Sequence, residues 1–186
     1  MTLLPRSPFC LIRHGQTEAN RDGIISGRLE TVLTEQGRSD AARLATLDWP
    51  DDIAVFASPQ GRARVTAELG FPAIPPRIIE ELRERDWGVH DGRPLAELPP
   101  RTATPDQGES WSAMLDRVAI ALGHCIQMAG KSLPVIVSHS GVIRATRALI
   151  GTPFDGPSAP NTTPIIFQPT AQGWVERPFF AAREQA

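Results

Sequence analysis

Three short stretches of this chain carry side chains suited to an anion. The first is Arg13-His14-Gly15, the second is Ser58-Pro59 with Arg62 close behind, and the third is Ser138-His139-Ser140-Gly141. Arginine's planar fork of N–H donors matches the oxygens of a phosphate. A neutral imidazole can attack phosphorus. Helix N-termini starting at Pro59 and Gly141 would add backbone donors and a favourable dipole. Singly, each stretch is an ordinary surface feature. Together they ask for a phosphate group.

Competing site chemistries fail on specifics. There is no G-x-x-x-x-G-K-[ST] phosphate loop. The serine at Ser140 has Ser138 rather than glycine two positions before it, so it is no nucleophile elbow. The histidines are His14, His90, His124 and His139, with no H-E-x-x-H spacing, so no metal site is implied. His124 falls on a helical pattern and His90 in a loop, and both read as structural or solvated residues.

These stretches come together only if the elements before them are neighbouring strands. Phe9–Ile12, Ile53–Ala57 and Pro134–Val137 are apolar runs too short for helices, and each reads as a buried strand. Each precedes a helical pattern: Thr34–Leu47 with Ala41, Leu44 and Ala45 on one face, Pro59–Leu69 capped by Ser58, and Gly141–Ile150 closed by Gly151 and Pro153. A longer helix is predicted over Ser110–Met128, where Trp111, Met114, Leu115, Val118, Leu122 and Ile126 form a core stripe. Further strands are expected near Arg77–Ile79, Thr163–Phe167 and Trp174–Glu176. Thr17–Thr31 and Asp91–Gly108 lack a period and read as loops, the second around a short helix. Alternating strands and helices predict a three-layer α/β/α sandwich on a mostly parallel central sheet. Such sheets bind ligands beyond the carboxyl ends of their strands, where Arg13, His14, Arg62 and His139 collect.

Over nearly its whole length the sequence resembles the histidine phosphatase superfamily, which includes the cofactor-dependent phosphoglycerate mutases. The resemblance rests on five blocks in order: Leu11–Asn20, Ile25–Ala45, Ser58–Ala67, Leu82–Gly92 and Val137–Ala145, with Gly108–Ser110 before the long helix. It implies a phosphoglycerate mutase-like fold and a phosphomonoester hydrolase working through a phosphohistidine. By matching position, His14 is the nucleophile, Glu84 the proton donor, and Arg13, Arg62 and His139 the phosphate ligands. Asn20 touches the phosphate, Ser26 and Gly27 form a substrate-facing turn, and the Ser140 N–H adds a donor. No metal or other cofactor is implied, because arginine and imidazole supply the positive charge. Gln60–Gly61 and Ser140 depart from the common pattern, and His90 stands where an aromatic is frequent.

Bulk composition narrows the alternatives. A length of 186 residues fits one domain over 1–186. Apolar residues at 41% and charged residues at 22% exclude a disordered chain. A net charge of −2 offers no field for nucleic acid, and the expected partner is a small phosphorylated substrate. Neither a signal-type apolar segment nor a stretch near the ~20 apolar residues of a membrane span is present, so the cytoplasm is the expected compartment. Cys10 and Cys125 lie in apolar stretches outside any C-x-x-C spacing and are expected as buried thiols. Two rival functions remain: a phosphoglycerate mutase using the same residues, and a non-catalytic phosphate-binding regulatory module. The short Asp91–Gly108 segment, with only Arg93 and Arg101, disfavours the first; retention of both His14 and Glu84 disfavours the second.

Overall fold

In a computed structural model, residues 4–179 are described. Among these, six strands make one sheet in the order β3-β2-β4-β1-β5-β6. The strands are β1 (Phe9–Arg13), β2 (Ile53–Ala57), β3 (Arg77–Ile78), β4 (Leu133–Ser138), β5 (Pro164–Thr170) and β6 (Gly173–Pro178). The first four run parallel, and the β5–β6 hairpin is added antiparallel beside β1. The helices are α1 (Glu18–Arg21), α2 (Glu35–Arg43), α3 (Gly61–Gly70), α4 (Trp111–Ala129) and α5 (Ser140–Leu149).

Strand side chains alternate, so each apolar run serves both faces. On one face Phe9, Leu11 and Ile136 pack with Met114, Val118 and Leu122 of α4. On the other, Cys10, Ile12, Val135 and Val137 pack with Leu44 and with Ala63 and Ala67 of α3. Burying one such aliphatic side chain is worth about 1.5–3 kcal/mol, so unbroken apolar strands are what the three-layer arrangement requires. Both cysteines are free and buried, and burial pushes the Cys125 thiol up to about 12. No helix of the described residues is long and apolar enough to cross a membrane.

Several expected boundaries move. The second helix ends at Arg43 and tightens into a 3-10 turn over Leu44–Thr46, which turns Ala45 outward to solvent while Ala41 and Leu44 stay buried. The third helix begins at Gly61, not Pro59, and its cap position is Gln60 in extended conformation. Ser58 is not a helix cap, because its hydroxyl is fully buried against the ring of His139. The fifth begins one residue early, at Ser140. The segment 17–31 contains the short α1, with Thr17 and Asn20 in a reciprocal capping box. The segment 91–108 carries a 3-10 turn over Leu95–Glu97 and an isolated bridge from Pro94 to Ile24.

Candidate active site

The β1–β4 pairing brings two of the three stretches side by side. Arg13 lies opposite Ser138, and the N–H of His14 donates to the Ser138 carbonyl at 2.9 Å. The rings of His14 and His139 then stand 5.2 Å apart, edge to face. Beside them, at the end of β2, the Ser58 Oγ lies 2.8 Å from His139 Nε2.

His14 is 4% exposed, and its Nδ1 sits 2.8 Å from the carbonyl of Gly15. A carbonyl only accepts, so Nδ1 carries the proton and Nε2 keeps its lone pair. Burial holds the His14 pKa well below its usual value, and the charges of Arg62 and Arg13 push it the same way. The same causes, burial first and then Arg62, keep His139 neutral. Gly15, whose N–H donates to Thr66 Oγ1 at 2.9 Å, is pressed so close to Gly37 that a Cβ would stand 2.5 Å from the Gly37 oxygen.

Arg62 is 1% exposed and gathers the turn over 26–29, donating to Leu29 O at 2.9 Å, Gly27 O at 3.0 Å and Ser26 O at 3.2 Å. Arg13 donates to Ala159 O at 2.9 Å. Buried polar atoms without a partner remain at Arg13 Nε, Arg62 Nε, His139 Nδ1 and Ser140 Oγ. Three of these are nitrogen atoms able to donate, and burying them unpaired is costly unless a ligand with acceptor oxygens satisfies them.

Glu84 is fixed by three backbone-centred bonds. Its oxygens accept the N–H of Arg85 at 2.8 Å and of Gly141 at 3.0 Å, and its own N–H donates to Gln60 Oε1 at 2.7 Å. The other end of Gln60 donates to Gly27 O at 2.7 Å, so one buried amide ties the acid to the 26–29 turn. The absence of a side chain at Gly141 is required, since a Cβ there would lie 2.0 Å from Glu84 Oε1.

A cavity of about 270 Å³ opens onto this set. Arg13, His14, Asn20, Ser26, Glu84 and Ser140 are among the polar residues that line it, and Ile24, Trp87, Leu95 and Leu98 add apolar lining. Arg62, His139 and Gly27 are not among its lining residues; Arg62 and His139 are nearly fully buried, and each keeps an unpartnered nitrogen. The expected donor at the start of α3 is not free: the N–H of Gly61 donates to Glu30 at 3.1 Å. His124 is exposed on α4.

Several residues that hold the site escaped the sequence reading. Arg85, in a charge run that reads as solvated surface, is 1% exposed and stacks its guanidinium 4.4 Å over the Trp87 ring. It donates to the carbonyls of Arg101, Ala103 and Glu109, tying that segment down. Arg101 is one of the cavity's lining residues. Gln60 was visible as a departure from a common pattern and Ser58 was read as a helix cap, but Thr66 and Asn161 carried no local signal.

Residues 9–178 match the profile of the histidine phosphatase superfamily, branch 1. The chain belongs to that superfamily and is an enzyme of the histidine phosphatase type. It is similar to the adenosylcobalamin/alpha-ribazole phosphatase of Escherichia coli (strain K12), 34% identical over 77% of this chain and 79% of the relative. It is also similar to a protein of Erwinia tasmaniensis described as a probable phosphoglycerate mutase, GpmB, at 35% identity over 77% of this chain and 74% of the relative. Among solved structures, the alpha-ribazole phosphatase from Shigella flexneri superposes with a TM-score of 0.77 at 28% identity, covering 97% of this chain and 98% of that one.

Proposed function

We propose that the protein hydrolyses a small phosphomonoester in two steps through a phosphohistidine at His14. The observation that carries this reading is the buried imidazole whose Nδ1 is pinned by the Gly15 carbonyl, leaving Nε2 as a neutral nucleophile beside two arginines. In the first step the Nε2 lone pair attacks phosphorus, the P–O ester bond breaks, and the leaving oxygen takes a proton from Glu84. In the second, water attacks the phosphohistidine, its proton passes to Glu84, and the P–N bond returns its electron pair to His14. Arg13, Arg62, His139 and the amide of Asn20 bind the phosphoryl oxygens, with Ser26, Gly27 and Ser140 shaping the site. Donors fixed in advance around developing charge are worth several kcal/mol each when water is excluded, about 2.7–4 for one oxyanion donor.

The cavity suits a leaving group with an apolar face, as Ile24, Trp87, Leu95 and Leu98 are among its lining residues. The resemblance to alpha-ribazole phosphatases fits such a leaving group. The mutase reading has support in the GpmB-named relatives, but the 91–108 segment brings little cationic surface to the cavity. Arg93 is exposed and lies 3.4 Å from Glu97, which leaves Arg101 as the cation of that segment among the cavity's lining residues.

The test is a phosphomonoester panel assayed in EDTA, including alpha-ribazole phosphate, aryl phosphates and 3-phosphoglycerate. Hydrolysis of the esters with apolar leaving groups is expected to exceed that of 3-phosphoglycerate. Phosphorus NMR with and without 2,3-bisphosphoglycerate separates the rivals. Free phosphate is the expected product, and rapid formation of 2-phosphoglycerate with little free phosphate contradicts the hydrolase reading.

A further inference from the structure

The loop before β5 reaches the site from the side opposite β4, and one residue there touches two members of the proposed machinery. Asn161 Nδ2 donates to the carbonyl of His14 at 2.6 Å and to Asn20 Oδ1 at 3.3 Å. Its neighbour Thr162 donates its N–H to the carbonyl of Arg13 at 2.8 Å. Thr162 does so at φ +52°, in the left-handed region that a β-branched residue rarely adopts. Strain held at one position marks surroundings that dictate the backbone there.

The polarity of this chain of bonds is set by the main chain. The His14 carbonyl can only accept, so Asn161 must present its nitrogen to it. The N–H of Thr17 can only donate, and it lies 3.2 Å from the Asn20 side chain, so that atom must be oxygen. Asn161 Nδ2 then meets an acceptor at Asn20 without conflict. With Asn20 Oδ1 occupied by two donors, its Nδ2 is left as the polar end available to the cavity that Asn20 lines.

We propose that Asn161 is a positioning residue that locks Asn20 with its N–H donors toward the phosphoryl group and clamps the main chain of the nucleophile. The inference rests on the reading of His14 and Asn20 as phosphate-handling residues. The nucleophile is thereby held from both flanks: His14 N–H by Ser138 of β4, and His14 C=O by Asn161. An aspartate at position 161 has nearly the same shape but no donor. Two acceptors would then face each other, and Asn20 would turn its own N–H toward position 161 and its oxygen toward the phosphate.

The measurement is inhibition by inorganic phosphate, with turnover of a phosphomonoester as the parallel readout. Asn161→Asp is expected to raise the Ki for phosphate by about tenfold or more and to lower kcat/KM by about 10²-fold, the scale of a small misplacement of reacting groups. In an Asn20→Ala background the same substitution should raise the phosphate Ki by a clearly smaller factor, because only its bond to the His14 carbonyl is then left to lose. A purely structural role would penalise both backgrounds equally, and that result overturns the inference. A second variant keeps the test independent of folding at position 161. Asn20→Asp puts a carboxylate oxygen where Nδ2 stood, so it should weaken phosphate binding more than Asn20→Ala; equal weakening also overturns the inference. If the unmodified enzyme neither hydrolyses phosphomonoesters nor binds phosphate, the proposed function fails instead, and the two failures are distinguishable.

Discussion

Replacing Gly141 by alanine isolates the placement of Glu84 from its chemistry. The added Cβ would stand 2.0 Å from Glu84 Oε1, where ordinary contact begins at 3.4 Å, so the oxygen must retreat by about 1.4 Å. The atom displaced is the end of a flexible side chain, and Gly141 lies within α5 without a left-handed backbone. Helix propensity favours alanine there by up to about 1 kcal/mol, partly offset by a tight 3.0 Å contact with Met114 Cε. The fold should therefore survive, with Tm within a few degrees. General acid catalysis contributes about 10²–10⁴-fold, and a misplaced acid forfeits much of it. For an alkyl ester, whose leaving oxygen needs a proton, kcat should fall about 10²-fold, or about 2.7 kcal/mol. For p-nitrophenyl phosphate, whose leaving group needs little protonation, the loss should stay under about tenfold. Glu84→Gln should show the same leaving-group dependence. Wild-type turnover of alkyl esters by Gly141→Ala, or equal losses on both ester classes, refutes the assignment of Glu84 as the acid.

Two further outcomes follow from the buried groups. Gln60→Leu removes the acceptor for the Glu84 N–H, and an unsatisfied buried donor costs about 1–3 kcal/mol, so thermal melting should drop by several degrees; an unchanged Tm contradicts the bridging role. His14 and His139 have folded pKa values depressed well below 6.5, while the unfolded chain takes up these protons near ~6.5. Below that pH the unfolded state binds more protons, so stability falls as pH falls, by up to about 1.4 kcal/mol per unit per histidine, and is flat above. Imidazole NMR should show neither ring titrating between pH 8 and about pH 6, and a midpoint near 6.5 for His14 would contradict its burial as a neutral base.

The strands and their polar ends were legible because parallel strands buried on both faces give short unbroken apolar runs, and each site stretch directly follows one. Phe9–Ile12 and Ile53–Ala57 correspond to β1 and β2 almost residue for residue. What the sequence concealed is carried by hydrogen bonds between distant positions. Gln60 meets Glu84 across 24 positions, and Asn161 meets His14 across 147. A lone glutamine or asparagine has no periodicity that announces such a partner. Ser58 illustrates the same competition, since local preference makes Ser-Pro a helix start and the ring of His139 claims the hydroxyl instead. Arg85 was hidden by its charged neighbours, although its guanidinium is enclosed by two tryptophans and three carbonyls.

The central claim is that the phosphoryl group passes through His14. Brief exposure to a radiolabelled phosphomonoester, followed by rapid quenching in alkali, tests it most directly. Label that is stable in alkali, lost in acid and mapped by peptide mass spectrometry to His14 is predicted, together with no label and no turnover in a folded His14→Ala variant. Label on another residue, or a His14→Ala variant that retains more than a few per cent of activity, contradicts the account.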